Sequence, residues 1–220
     1  METQTPLTIL IHGLHLSPWY MKPLAKRLDD SGLETYRYGY RSLLEPIQAH
    51  SAGLNAHLSR HHNSSQPINL VGHSLGGLVI RHFLAHYPQW HVHRCVTLGT
   101  PHSGSQTAHY ANRYLRLLVN QSYLGALDGT CPQLPNGVEI GVIAGNRPFG
   151  LGLPLLTLHR HLHGLSTSDS QNDGTVFVSE TVLHNATDYL LLPVSHTGLL
   201  TDKAVANQTA YFLNHGTFRR

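Results

Sequence analysis

The sequence predicts an α/β fold with a mostly parallel sheet flanked by helices. Short apolar runs alternate along its 220 residues with longer runs whose apolar residues recur at three- and four-residue steps. This alternation is typical of parallel strands joined by helices. No change of composition divides the chain, and α/β sheets of this length commonly form one domain. We therefore predict a single domain over residues 1–220.

Each predicted element follows from the period of its apolar residues. Apolar runs bounded by turn residues predict six strands, at Leu7–Ile11, Glu34–Tyr38, Ile68–Val71, Arg94–Leu98, Val138–Ala144 and Tyr189–Pro193. Helical periodicity predicts four helices and a less regular fifth, at Tyr20–Ser31, Leu44–His61, Leu75–Tyr87, Thr201–Asn214 and Ser105–Val119.

Two long stretches, residues 118–136 and 146–171, follow neither period. Stretches of this length inside an α/β domain are usually functional loops. We therefore expect small cap segments, at about 105–136 and 146–171, that border the functional site and form only a short or minimal lid.

Charge and hydropathy exclude several classes of partner. The 15 Lys+Arg and 12 Asp+Glu give a net charge of +3, and the basic residues are scattered, so we expect no nucleic-acid partner. The first apolar run, Leu7 to Leu16, is interrupted by His12 and Gly13 and follows no basic region. It is therefore not expected to be a signal peptide or a membrane span, and we predict a cytoplasmic protein without stable membrane insertion. Nothing in the sequence indicates its oligomeric state.

Metal-binding patterns are also lacking. The 19 histidines include clusters such as His159, His161 and His163, but no cysteine or paired carboxylate accompanies them. Cys95 and Cys131 match no ligand spacing, and Cys95 lies in a predicted strand. We therefore predict no metal and no other cofactor.

The strongest chemical signal is the segment Ile-Asn-Leu-Val-Gly-His-Ser-Leu-Gly-Gly at residues 68–77. A G-x-S-x-G pattern between a strand and a helix is typical of a nucleophile elbow, whose serine sits on a sharp, strained turn. Gly72 and Gly76 lack side chains where strand and helix must pass closely. The segment predicts Ser74 as the nucleophile.

A serine nucleophile needs a histidine base and a carboxylate that orients it. His196 fits best, because it follows the last predicted strand and precedes the C-terminal helix. Asp173 lies in an Asn-Asp-Gly loop after the preceding strand and is the preferred acid. Asp169 in the same loop is its main rival, whereas Asp188 and Asp128 precede the strands that would have to present them. An Asn-Asp-Gly turn without chemical function is the alternative for Asp173.

The third requirement is an oxyanion hole built from two backbone N–H groups. Leu75, directly after the nucleophile, supplies the first. The second is predicted to be the N–H of Leu14, because Gly13 after the first strand allows a close approach. A His-Gly pair in this position is also compatible with a simple turn.

Five segments occur in the order found in lipase-like α/β hydrolases: His12-Gly13-Leu14, Gly72-His73-Ser74-Leu75-Gly76-Gly77, Leu98-Gly99-Thr100-Pro101-His102-Ser103-Gly104-Ser105, Asn172-Asp173-Gly174 and Ser195-His196-Thr197-Gly198-Leu199. The chain thus resembles the bacterial triacylglycerol-lipase and inositol-deacylase-like group. The resemblance implies an α/β-hydrolase fold and ester hydrolysis through an acyl-enzyme on Ser74, Asp173 and His196.

The sequence therefore predicts a serine carboxylester hydrolase acting on a small-molecule or lipid-like acyl ester. Lipases of the resembling group carry a longer lid, so we expect neither long-chain triglyceride hydrolysis nor activation at an oil–water interface. Acyl transfer, thioester cleavage or amide cleavage on the same triad is the first alternative, because the triad does not fix the acceptor. A non-catalytic binding protein on a hydrolase scaffold is the second.

Overall fold

A computed structural model describes residues 5–114 and 116–220 of the chain. Six strands form one sheet in the order β2-β1-β3-β4-β5-β6, and every pair of neighbours is parallel. The strands are β1 Leu7–Ile11, β2 Thr35–Tyr38, β3 Ile68–His73, β4 Val92–Leu98, β5 Ile140–Gly145 and β6 Asp188–Leu192. All six predicted strands are confirmed to within two residues at each end.

Helices connect the strands and cover both faces of the sheet. The α-helices are α1 Lys22–Asp29, α2 Ile47–His61, α3 Leu75–His86, α4 Gln106–Tyr114, α5 Leu153–His163 and α6 Lys203–His215. The four clearly periodic helices predicted from the sequence correspond to α1, α2, α3 and α6. The less regular one, Ser105–Val119, is α4 followed by short helical turns, and its Leu115 lies outside the described residues.

The core consists of two apolar layers on opposite faces of the sheet. Successive strand residues point to opposite faces, so Ile9 and Ile11 join the layer under α2 and α3, while Leu10 joins the layer under α1 and α6. The α/β-hydrolase fold predicted from the sequence is confirmed, with a fully parallel sheet.

Helix α5 lies within the expected cap segment 146–171 but was not among the predicted helices. Leu156 is buried, but Leu158 and Leu162 are exposed, so the helix lacks the apolar stripe that periodicity detects. Instead α5 packs against α4, and the Tyr110 hydroxyl lies 3.1 Å from His159 Nδ1. No helix within residues 5–114 or 116–220 is long and apolar enough to cross a membrane.

Candidate active site

The predicted site residues lie at the carboxyl edge of the sheet. Ser74 directly follows β3, Gly13 and Leu14 follow β1, and His196 follows β6. Asp173 lies on the long connection between β5 and β6. Because all six strands run in the same direction, their carboxyl ends meet at one edge, where α/β proteins commonly bind ligands.

Ser74 occupies a strained turn between β3 and α3. Its φ of 53° and ψ of −122° lie in a region that non-glycine residues rarely adopt. Three hydrogen bonds hold the turn: the Ser74 N–H donates to Leu98 O at 2.9 Å, and Ser74 O accepts from the Gly77 N–H at 3.0 Å and from Thr100 Oγ1 at 2.9 Å. The half-buried side chain thus projects from a fixed backbone at the N-terminus of α3.

The glycines around Ser74 allow the close packing that this turn requires. A Cβ atom on Gly72 would lie 2.6 Å from the carbonyl carbon of Gly76, and one on Gly76 would collide with the carbonyl oxygen of Ile11. A Cβ atom on Gly13 would lie 3.0 Å from Ser74 Cβ. The loop after β1 therefore lies directly against the proposed nucleophile.

Asp173 and His196 are in direct contact. The Nδ1 atom of His196 lies 2.6 Å from Asp173 Oδ2, and both residues are buried. The other carboxylate oxygen, Oδ1, accepts from the backbone N–H groups of Thr175 at 2.9 Å and Val176 at 2.8 Å. Since Asp173 accepts the Nδ1 proton, Nε2 carries the lone pair that a general base needs.

The rival carboxylates do not reach His196. Asp169 is exposed and bonds to Ser166 Oγ at 2.5 Å. Asp188 lies at the start of β6, where it accepts from Arg220 and from the N–H of Phe218. Asp128 accepts from its own loop, including the N–H of Thr130 at 3.1 Å. Among the weighed candidates, only Asp173 has the geometry of the orienting acid.

The two predicted oxyanion donors are free. Within the described chain, neither the Leu14 N–H nor the Leu75 N–H donates a hydrogen bond. Leu75 is the first residue of α3, whose first-turn N–H groups have no acceptor inside the helix and carry its positive dipole end. The loop that carries Leu14 is held by Tyr40, whose hydroxyl donates to His12 O at 2.7 Å.

His73 connects the serine and histidine segments, a contact that the sequence did not indicate. Its Nε2 donates to His196 O at 3.0 Å, and the two imidazole rings lie 4.7 Å apart. Burial lowers the pKa of His73 well below its usual value, so its ring is neutral. In the described residues no hydrogen bond joins Ser74 Oγ to His196, and such contacts often tighten only when substrate binds.

Gly99 is a second residue that sequence reasoning missed. Its φ is +58°, and a Cβ atom would lie 2.6 Å from Leu199 Cδ1, 3.1 Å from Asp173 Oδ2 and 3.2 Å from His196 Nδ1. The absence of a side chain therefore leaves room for the Asp–His pair. The sequence does place Gly99 directly after a predicted strand. Its role could not be predicted, because its neighbours in the site are distant in sequence.

Glu180 joins the cap to the loop that carries Asp173. Its buried carboxylate accepts from the Gln106 N–H at 2.5 Å, at the start of α4, and from the Phe177 N–H at 2.8 Å. Burial raises the pKa of Glu180 to about 8, and the charge of Asp173 adds to the shift. The N-terminus of α4 is thereby fixed beside the Asp173 loop, and Thr107 Oγ1 donates to Thr175 O at 2.6 Å.

A buried cation, Arg81, holds the segment after β4. Its guanidinium donates to the carbonyl oxygens of His102 at 2.6 Å, Pro132 at 2.8 Å and Cys131 at 3.1 Å. The bond to His102 ties α3 to the Thr-Pro-His segment, residues 98–105, which was singled out by its resemblance to lipases, and the other two tie α3 to the stretch before β5. The segment therefore supports the site through backbone contacts.

Within residues 5–114 and 116–220, no group of three or more His, Cys, Asp or Glu side chains is arranged to hold a metal ion. Cys95 and Cys131 are both buried and unpaired.

Comparisons with known proteins assign the chain to a family. The profile described as palmitoyl protein thioesterase matches residues 8–130, which is more than half of the chain. The chain belongs to the palmitoyl protein thioesterase family. The matched part carries the β1 loop, the Ser74 turn and the Thr-Pro-His segment. No curated protein matches the sequence.

Solved structures similar to this family member share its fold. The mature lipase BlEst2 of Bacillus licheniformis has a TM-score of 0.74 and 21% identity, covering 99% of this chain and 94% of that one. The product of the gene lin2722 from Listeria innocua has a TM-score of 0.64 and 16% identity, covering 99% and 96%. A pyrethroid hydrolase from Sphingobium faniae has a TM-score of 0.58 and 14% identity, covering 96% and 98%. Family and fold together confirm a lipase-like α/β hydrolase of the esterase, lipase or thioesterase type.

Proposed function

We propose that this protein is a serine hydrolase that cleaves carboxylic acyl esters through an acyl-enzyme on Ser74. The observation that carries the proposal is the buried contact between His196 Nδ1 and Asp173 Oδ2 at 2.6 Å, beside a serine on a strained strand-to-helix turn. A buried Asp–His pair leaves Nε2 as a base of fixed orientation, which is what a serine hydroxyl requires.

In the proposed reaction His196 Nε2 accepts the Ser74 proton while Oγ attacks the acyl carbonyl carbon. The N–H groups of Leu14 and Leu75 donate to the oxyanion, and Asp173 stabilises the imidazolium. His196 then protonates the leaving alcohol, and the acyl group remains on Ser74. Water, deprotonated by the same Nε2, attacks the acyl-enzyme and releases the carboxylic acid.

Thioester cleavage is a second candidate, favoured by the match to the thioesterase family over residues 8–130. The same groups serve both reactions, because a thiol also leaves after the tetrahedral intermediate collapses. Parallel assays on an oxygen ester and a thioester with the same acyl group distinguish the two. Formation of a new ester between the acyl group and an added alcohol would indicate acyl transfer.

The substrate range is tested with p-nitrophenyl esters from acetate to palmitate. The cap consists only of short helical segments, so we expect the highest kcat/KM on short to medium acyl chains. We also expect no jump in rate when the substrate concentration passes its solubility limit. A sharp increase above that limit would show interfacial activation and contradict the proposed range.

A further inference from the structure

A cleft outside the triad and the oxyanion donors opens beside the loop that carries His196. It is a cleft of about 480 Å³, a volume within the range of small-ligand sites. Its walls include Ser195 and Thr197, the two neighbours of His196 in the sequence. Arg147 and Phe149 after β5 and Lys203 at the start of α6 also line the cleft.

The cleft has an excess of positive charge. Arg147 and Lys203 are exposed, and in the described chain neither side chain makes a hydrogen bond or an ion pair. The acidic residue of the lining, Asp202, is already engaged, because its Oδ1 accepts from the Ala204 N–H at 2.7 Å and from Val205 at 3.4 Å. Within the described residues Asp202 thus caps α6 and pairs with neither Arg147 nor Lys203, whose two positive charges exceed its single negative charge.

The position of the cleft relates it to one half of the substrate. This step rests on the proposed function: a base that protonates the leaving atom must lie within hydrogen-bond reach of the leaving group. The leaving group therefore passes His196, whereas the acyl chain extends from the carbonyl carbon on its other side. Because Ser195 and Thr197 in the walls of the cleft flank His196 in the chain, we assign the cleft to the leaving group and not to the acyl chain.

We propose that this cleft binds a phosphate group carried by the leaving alcohol or thiol of the substrate. An Arg guanidinium donates to phosphate oxygens as a planar fork, and a Lys ammonium adds a point charge. The Thr197 hydroxyl, unpaired within the described residues, adds a third donor at the rim. Phe149, 70% exposed, offers an apolar surface to the linker between the phosphate and the ester bond.

The test uses two matched pairs of substrates that differ only in the phosphate. The oxygen-ester pair is 1-octanoylglycerol 3-phosphate and 1-octanoylglycerol, and the thioester pair is S-octanoyl-4′-phosphopantetheine and S-octanoylpantetheine. For each pair the ratio of kcat/KM, phosphorylated to neutral, is measured on the same preparation. We expect the double variant Arg147→Gln/Lys203→Gln to lower this ratio by about tenfold through KM, because two charge-assisted contacts are lost. The pair that shows the larger drop identifies the carrier as alcohol or thiol.

A charge-matched control separates the cleft from the overall field of the protein. Arg60→Gln/Arg219→Gln removes the same net charge at the amino edge of the sheet, and it should leave the ratio within about twofold because of screening by salt. An equal drop in both double variants would overturn the proposal. An unchanged ratio for both substrate pairs in Arg147→Gln/Lys203→Gln would overturn it as well.

A binding measurement keeps the inference independent of turnover. Calorimetric titration of the Ser74→Ala protein with sn-glycerol 3-phosphate and with 4′-phosphopantetheine should show binding of at least one ligand. The Arg147→Gln/Lys203→Gln substitutions should weaken that binding by about fivefold or more. Binding without turnover of any ester supports the cleft and refutes the proposed hydrolase. Turnover of the neutral esters, with neither phosphate ligand bound at millimolar concentration, refutes the cleft alone.

Discussion

The nucleophile half of the site and the acid–base half are held together by different means. Around Ser74, consecutive residues of one turn pack against β1, and glycines at positions 72 and 76 let backbone meet backbone. Around Asp173 and His196, side-chain and backbone hydrogen bonds join loops that are distant in sequence, as between Glu180 and Gln106. Damage to the backbone packing of the first half should therefore reduce stability, whereas damage to the hydrogen bonds of the second should reduce activity.

The largest expected effect tests the acid–base half. Replacing Asp173 by Asn should lower kcat about 10⁴-fold, because the amide no longer holds His196 in the tautomer with a free Nε2. Asp169→Asn is the matched control and should cost less than about tenfold, because Asp169 is exposed and contacts Ser166 rather than His196. Steady-state kinetics of both purified variants on one soluble ester decide the assignment. The assignment of the acid would be reversed if Asp169→Asn lost most of its activity and Asp173→Asn kept near-normal turnover.

Alanine substitutions at two glycines compare the halves directly. Gly99→Ala introduces a Cβ atom 2.6 Å from Leu199 Cδ1 and within 3.2 Å of His196 Nδ1, and it should lower kcat about 10²-fold by displacing the Asp–His pair. Gly76→Ala forces a Cβ atom against the Ile11 carbonyl and should cost about 3 kcal/mol of unfolding free energy. Urea unfolding and kcat are measured for each variant.

Gly164→Ala is the control for backbone strain at Gly99. Its φ of +60° nearly equals the +58° of Gly99, but a Cβ atom there meets nothing within 4 Å. It should cost about 1 kcal/mol and leave kcat unchanged. If Gly164→Ala lowered kcat as much as Gly99→Ala, strain rather than contact with the Asp–His pair would explain the loss.

The smallest effect concerns buried histidines behind both halves. Burial, with smaller contributions from neighbouring charges, lowers the pKa of His50 and His82 to about 4 and of His102 to about 3. The unfolded chain takes up these protons near pH 6.5, whereas the folded chain does not. The stabilisation is therefore complete above pH 6.5 and is lost as the pH falls towards 4.

Glu180 has the opposite effect. Its pKa is about 8 in the folded protein, so the folded protein binds this proton more tightly than the unfolded chain and is stabilised as the pH falls. Because the histidines with lowered pKa, which also include His12 and His73, outnumber this one carboxyl group, the unfolding free energy should fall by about 1–3 kcal/mol per pH unit below pH 6. Urea unfolding between pH 7 and pH 5 measures the slope. His82→Asn should make it shallower, and a flat profile in the parent protein would contradict the assignment.

The difference between the halves also explains what the sequence could predict. Residues that are adjacent in the sequence specify the turn at Ser74, so both its position and the following helix were predicted. The roles of Arg81 and Glu180 were not, because Arg81 bonds to backbone carbonyls and Glu180 accepts from backbone N–H groups. Such partners leave no signature in side-chain identity. Helix α5 was missed because Leu158 and Leu162 face solvent and obscure its period.

The most direct test of the account is covalent labelling of the nucleophile. A fluorophosphonate probe reacts only with a serine that has an oriented base, so it should label the parent protein, with the adduct located on Ser74 by peptide mass spectrometry. Ser74→Ala should remove both labelling and ester hydrolysis while its circular dichroism and urea midpoint stay close to those of the parent. Labelling that persists in Ser74→Ala, or an adduct on a different serine, would contradict the central claim.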